Sequence, residues 1–381
     1  MSADPLHMTT LHQLSTPAAV IDLERLEANT HEMAARAHRL GVRLRPHVKT
    51  HKTWEALSYQ IRDHFGGITV STLAEAEFYG ARGVQDITYA VPITPHKVSR
   101  ALALSREIKQ LNVLVDHPDA MSALSRQCAA HQQRLGVLVK VDCGYGRAGL
   151  TVNDPMLPHL AEQISGDPWL DFVGILTHAG HSYHCSNVEE IREVAREEYT
   201  EIIAARDLLI ARGLEVPTVS LGSTPTATVF ESLAGVTEMR PGNYALFDLF
   251  QASIGSCQVS DVALSVITEV IACYPNRGEL LIDAGALALS KDLGASHPTQ
   301  ARYGMICDLS YQPLPQLQLT GLSQEHGKVK VSPDFDFTQI SVGARLRVIP
   351  NHSCLVTALY DQLHVARGDD IVDAWRPVRG W

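Results

Sequence analysis

No stretch of the chain approaches the roughly 18–20 consecutive apolar residues of a membrane-crossing helix. Its start, MSADPLHMTTLHQLSTPAAV, lacks the basic-then-apolar order of a secretory leader. Basic charge is in deficit: Lys plus Arg is 32 against 42 for Asp plus Glu, a net charge of −10. That excludes a general binder of nucleic acid or anionic membrane, whose affinity would rest on clustered positive charge. It leaves room for a small basic pocket around one phosphate. Cysteine is sparse and unpaired in pattern, with seven scattered residues and no CxxC. This is a reduced, cytoplasmic inventory rather than a disulfide framework. A composition of 45% hydrophobic and 19% charged residues excludes disorder, collagen and coiled coil. No linker rich in Gly or Ser divides the chain.

What is present is alternation. AAVIDL (18–23) reads as a strand and LERLEANTHEMAARAHRLG (23–41) as a helix, with apolar residues three and four apart. VRLRPHV, GITVST, DITYAV, LNVLVD, GVLVKVD, FVGILTHAG, VPTVSLGS and the region of VTEMRPGNY continue the series, helical periodicity intervening. Eight or nine βα units predict a (β/α)8 barrel over residues 16–252. After about Ala252 the long helical periods stop. VALSVITEVIACYP, GELLIDAG, QLQLTGLSQEHG, VKVSP and ARLRVIPN follow closely, punctuated by Gly, Pro and Asn. They predict a mainly antiparallel β domain over 253–381, with residues 1–15 packed on one of the two parts.

The ends of barrel strands are where chemistry is expected. Lys49 ends an early strand beside Arg45, His47, His51 and Lys52. Crowded cations lower a lysine's pKa, and a neutral amine is the species that forms a Schiff base. Taken alone, this segment also fits an ordinary basic loop. Arg147 sits in the Gly-rich turn of VKVDCGYGRAGL, where a guanidinium could reach an anionic oxygen. SLGSTPTA places Gly222, Ser223 and Thr224 ahead of a helix, and RPGNY repeats the theme with Gly242 and Asn243. Two consecutive late strands with such ends fit a phosphate site, or a pair of ordinary capped turns. In VIPNHSC, His352 and Cys354 are two apart and share a face if the segment is extended. An imidazole and a thiolate suit Zn²⁺, although a lone HxC is more often a structural pair than a metal site.

In order along residues 16–360, TPAAVIDL, RPHVKTHK, TVSTLAEAE, VDCGYGRAGL, LTHAGHSY, GSTPTA, RPGNY, SQEHG and PNHSC resemble the fold-type III pyridoxal phosphate (PLP) enzymes. Within them they resemble the D-serine dehydratase and D-threonine aldolase group. The resemblance implies an alanine-racemase-like N-terminal barrel that binds PLP, a C-terminal β domain with the metal ligands, and a homodimer with active sites at its interface. It makes Lys49 the Schiff-base lysine and places Arg147 beside the cofactor's phenolic oxygen. It sets His178 near the pyridine ring and Tyr183 near the site. Gly222, Ser223, Thr224, Gly242 and Asn243 match the phosphate cradle, and His352 and Cys354 the metal pair. Glu325 and His326 are candidates for supporting that pair. The partner of the pyridine nitrogen is not placed.

Aldolases of the group usually carry His-x-Asp, a harder pair suited to Mn²⁺ or Mg²⁺. Cys354 favours Zn²⁺, with Mn or Co as alternatives, and a dehydratase acting on D-serine or D-threo-3-hydroxyaspartate. The expected products are a 2-oxo acid and ammonia. The rivals are a D-threonine-type aldolase giving glycine and an aldehyde, an amino-acid racemase, and a non-enzymatic PLP carrier consisting of a barrel alone.

Overall fold

A computed structural model describes residues 9–62, 64–295 and 302–381. They divide into two compact units. One comprises residues up to Thr30 with Ala245–Pro377, and the other His31–Tyr244 with Val378–Trp381.

The first strand of the chain, β1 (Ala18–Asp22), belongs to the first unit. Eight strands of the second unit follow: β2 (Arg43–Leu44), β3 (Ile68–Val70), β4 (Asp86–Pro92), β5 (Gln110–Val115), β6 (Leu135–Lys140), β7 (Leu170–Leu176), β8 (Thr218–Leu221) and β9 (Glu238–Met239). All their pairings are parallel, in the order β2-β9-β8-β7-β6-β5-β4-β3. Parallel strands buried on both faces read as continuous apolar runs, as in the LGVLVK of β6. Bonds from Thr69 N–H to the Pro46 carbonyl and from Val48 N–H to the Thr69 carbonyl close the two ends of the sheet into a barrel. The intervening helices begin at side-chain caps: Thr53 for Trp54–Gln60, Thr72 for Leu73–Gly80 and Asn187 for Val188–Ala211.

Inside the barrel a polar chain replaces part of the apolar fill. Arg45 forks onto Asp86 with both bonds at 2.8 Å, and its Nε donates to Glu238 at 2.8 Å. Ser220 Oγ donates to the other Glu238 oxygen at 2.8 Å and accepts from Arg240 Nε at 2.7 Å. Burial opposes the charge on Glu238, but Arg45 outweighs it and holds the carboxyl below its usual range.

The first unit holds β10 (Leu264–Tyr274), β11 (Glu279–Ile282), β12 (Met305–Cys307), β13 (Leu317–Leu322), β14 (Gly327–Val331), β15 (Arg345–Ile349), β16 (Leu363–Arg367) and β17 (Asp370–Trp375). They form one nine-stranded sheet with β1, which runs antiparallel to β10 and parallel to β16. The AAVIDL strand, expected to begin the barrel series, is thus built into the other sheet. Local periodicity specifies that a strand forms but not which sheet it joins. Among the described residues, no helix is long and apolar enough to cross a membrane.

Candidate functional site

The carboxyl ends of the barrel strands surround a cavity of about 310 Å³. Lys49, Arg147, His178, Tyr183, Ser223, Thr224, Gly242 and Asn243 all line it, although they come from five separate segments. Gly222 is not among the lining residues; it turns the chain at φ +109° just before Ser223. Gly242 answers a different demand, since a Cβ there would stand 2.8 Å from the His47 carbonyl oxygen.

Most of the basic neighbours of Lys49 in the sequence do not face it. Arg45 is spent on Asp86 and Glu238, Lys52 pairs with Glu75 at 3.0 Å, and His51 bonds Gln60 at 2.8 Å. The cations that do share the cavity arrive from distant strands: Lys140 at the end of β6, Arg147 in the following turn and Arg240 after β9. None of the cavity's lining residues is acidic. Burial first, then Arg240, lowers the Lys140 amine to about 8. Arg240 is brought down to about 10 by burial and keeps its charge at neutral pH.

Burial and the charge of Lys49 hold both His47 and His178 far below the usual imidazole range, so both rings are neutral. His47 Nδ1 accepts the Lys49 backbone N–H at 3.4 Å, which places its proton on Nε2, 3.3 Å from Ser71 Oγ. His178 Nδ1 lies 3.4 Å from the Gly222 carbonyl and donates to it, leaving Nε2 as a lone pair.

Lys140, Arg240 and Ser71 also line the wall without having been singled out from the sequence, and His47, noted there only as a basic neighbour of Lys49, joins them. The first two carried a usable signal, each being a charged residue at the end of an apolar or buried strand.

In the first unit, His352 and Cys354 are brought together, but not along an extended strand. The strand β15 ends at Ile349, His352 immediately precedes the short helix Ser353–Thr357 without a side-chain capping bond, and Cys354 lies in its first turn. Asp248 fixes this turn by accepting the Ser353 N–H at 3.0 Å, and the Ser353 hydroxyl bonds the Phe247 carbonyl. Cys354 hydrogen-bonds the His352 ring, and Asp292 Oδ2 lies 2.9 Å from its Nδ1. Burial opposes a charged ring, yet Asp292 and Cys354 outweigh it and raise His352 to about 10. This donor set therefore favours a cation beside the imidazole, proton or metal. Among the described residues, no group of three or more His, Cys, Asp or Glu gathers to hold a metal. Glu325 and His326 are exposed in the turn between β13 and β14. A larger cavity of about 670 Å³ in this unit is mainly apolar, with Arg302 its one ionisable lining residue.

Two family models match the chain: "Alanine racemase, N-terminal domain" over residues 21–249 and "Putative serine dehydratase domain" over 263–366. The D-threo-3-hydroxyaspartate dehydratase of Delftia sp. (strain HT23) is 39% identical over 98% of this chain and 99% of that one. The chain belongs to the D-serine dehydratase family of alanine-racemase-like proteins. The solved Delftia structure covers 98% of this family member, and is itself wholly covered, with a TM-score of 0.94. D-serine dehydratase of Dictyostelium discoideum is 35% identical over 97% of this chain and 98% of its own. A D-threonine aldolase of Arthrobacter sp. matches at 30%, over 96% and 92%. Membership in this family implies PLP, and the cavity fits it. It offers an amine, a wall without carboxylates, hydroxyls from Ser71, Tyr183, Ser223 and Thr224, and apolar contact from Val91 and Leu176.

Proposed function

We propose that the protein is a PLP- and metal-dependent lyase that eliminates water from a D-3-hydroxy amino acid, giving a 2-oxo acid and ammonia. The observation that carries this is the acid-free cavity in which Lys49 stands with Lys140, Arg147 and Arg240. Four cations without a lining carboxylate suit a ligand bearing a phosphate and a substrate carboxylate.

Lys49 would hold PLP through Nζ, with Thr224 and Asn243 toward its phosphate and Arg147 toward its phenolic oxygen. Bound there, PLP would supply an electron sink for charge developing at the substrate Cα. The Lys49 amine would be the base that takes the substrate's α-proton. Neutral His178 presents a flat ring without a further charge, held by its Nδ1 bond to Gly222. Tyr183 closes part of the wall.

His352 and Cys354 would hold a divalent cation, zinc by the softness of the thiolate, which supplies a Lewis acid for a departing hydroxyl. The Delftia relative has been solved as a cysteine-to-alanine variant in a metal-free form, which supports a metal role for the cysteine of this pair. The substrate is D-threo-3-hydroxyaspartate or D-serine, the compounds named for the relatives at 39% and 35% identity. The reading includes a homodimer, as the family resemblance implies.

Product analysis tests it. D-Serine, D-threonine and D-threo-3-hydroxyaspartate are each supplied to PLP-loaded protein before and after EDTA, with Zn²⁺ or Mn²⁺ returned. Metal-dependent ammonia and 2-oxo acid are expected; glycine and an aldehyde would replace the dehydratase with an aldolase.

A further inference from the structure

Glu198 is fully buried in the middle of the helix Val188–Ala211, and its carboxylate meets three donors. Oε1 accepts the backbone N–H of Ala179 at 2.9 Å and that of Gly222 at 3.0 Å; Oε2 accepts the Thr226 hydroxyl at 2.7 Å. Ala179 follows His178 in the loop after β7, and Gly222 precedes Ser223 in the loop after β8. One side chain therefore ties together two loops that line the cavity.

The protons can be followed outward from it. The Thr226 hydroxyl gives its proton to Glu198 Oε2. Thr226 Oγ1 is then an acceptor for the Ser223 N–H at 3.0 Å, while Ser223 Oγ accepts the Thr226 N–H at 3.2 Å. The Ser182 hydroxyl donates to the Ala179 carbonyl at 2.7 Å, which leaves its oxygen to receive the Ser223 proton at 2.8 Å. The Ser223 proton is thus spent within the protein, with Thr226 Oγ1 at 3.0 Å as a second internal acceptor. The Thr224 proton is not: its oxygen accepts the N–H groups of Gly242 and Tyr244, both at 3.3 Å, and none of these bonds uses its own proton.

We propose that Glu198 is a positioning residue that orders the phosphate end of the cofactor cavity, fixing the loop on which Thr224 presents its hydroxyl. The inference rests on the PLP reading above. Glu198 does not act on the ligand itself; it acts through Gly222, Ser223 and Thr226. Its replacement by Gln keeps the shape but introduces two N–H donors where three donors already converge.

The test titrates cofactor-free protein with PLP and, separately, with pyridoxal, which lacks the phosphate. For Glu198→Gln the expected result is a loss of PLP affinity of about tenfold or more, with pyridoxal affinity held within about twofold. Thr226→Val removes the hydroxyl link with little change of shape and should reproduce the selective loss at about threefold. It carries the test if the Gln variant does not fold. Equal losses for both ligands would reduce Glu198 to a general structural role, and unchanged PLP affinity in both variants would overturn the inference. If the unaltered protein binds PLP no better than pyridoxal, the cofactor reading fails and this inference with it.

Discussion

His352 Nδ1 and Asp292 Oδ2 are 2.9 Å apart, and that bond leaves Nε2 as the ring nitrogen available to a metal. A carboxylate on the far nitrogen of a ligating histidine sets its tautomer and orientation. Asp292→Ala should therefore weaken divalent-metal binding by about 10–100-fold, measured by chelator competition, with PLP affinity unaltered. Unchanged metal affinity would show that His352 is oriented by something else, or that the pair binds no metal.

Thr224 and Ser223 are adjacent hydroxyls that should behave differently. Thr224→Val removes the donor left free for a ligand, and should lower PLP affinity by about tenfold with pyridoxal unaffected. Ser223→Ala removes a hydroxyl already satisfied by Ser182, and its direct cost to PLP affinity should be several-fold smaller. A larger loss for the Ser223 variant would reverse the proton assignment.

Lys140 makes a pH signature. In the folded, cofactor-free protein its amine titrates near 8, against an ordinary value of 10.5. Below pH 8 both folded and unfolded chains bind the proton, and the cost of burying the charge is fully present. Between 8 and 10.5 the unfolded chain still binds it while the folded one does not, so stability rises with pH. Relative to Lys140→Met, the unaltered protein should gain on the order of 2–3 kcal/mol across that window. Parallel stability curves for the two proteins in urea would contradict the shift.

Glu238 joins Arg45 and Ser220, and through Ser220 reaches Arg240 at the cavity. Glu238→Gln leaves Arg45 a buried cation with one counter-charge fewer. A stability loss of about 3–5 kcal/mol is expected by chemical denaturation. A loss below 1 kcal/mol would mean that Asp86 alone satisfies Arg45.

Much of the barrel was legible because strands such as β5 and β6 are short apolar runs followed by a helical period, whereas β2 and β9 are only two residues long and each carries a charged residue; AAVIDL misled only about which sheet it joins. In the other unit β12, β16 and β17 escaped notice. Met305–Cys307 is only three residues, and Asp370–Trp375 (DIVDAW) lacks the period-2 alternation of a half-buried strand and lies at a sheet edge. For the site, segments with Gly, Pro and hydroxyl clusters announced themselves: RPHVKTHK, GSTPTA and RPGNY. The cation crowding expected around Lys49 is present, but from Lys140, Arg147 and Arg240 rather than from its sequence neighbours. Glu198 had no local mark at all. In the run VEEIREVAREEYTEI it is one of six glutamates, and only the tertiary structure shows that this one faces inward.

Two lysines reach the same cavity, Lys49 and Lys140, and the first is proposed to carry the cofactor. Borohydride reduction of PLP-loaded protein, followed by peptide mapping of the pyridoxyl label, decides between them. The label is predicted on Lys49 within RPHVKTHK, and Lys49→Ala should abolish it together with the visible absorbance of bound PLP. Label on Lys140 within LGVLVK, or stoichiometric label retained in the Lys49 variant, would contradict the assignment on which the proposed function stands.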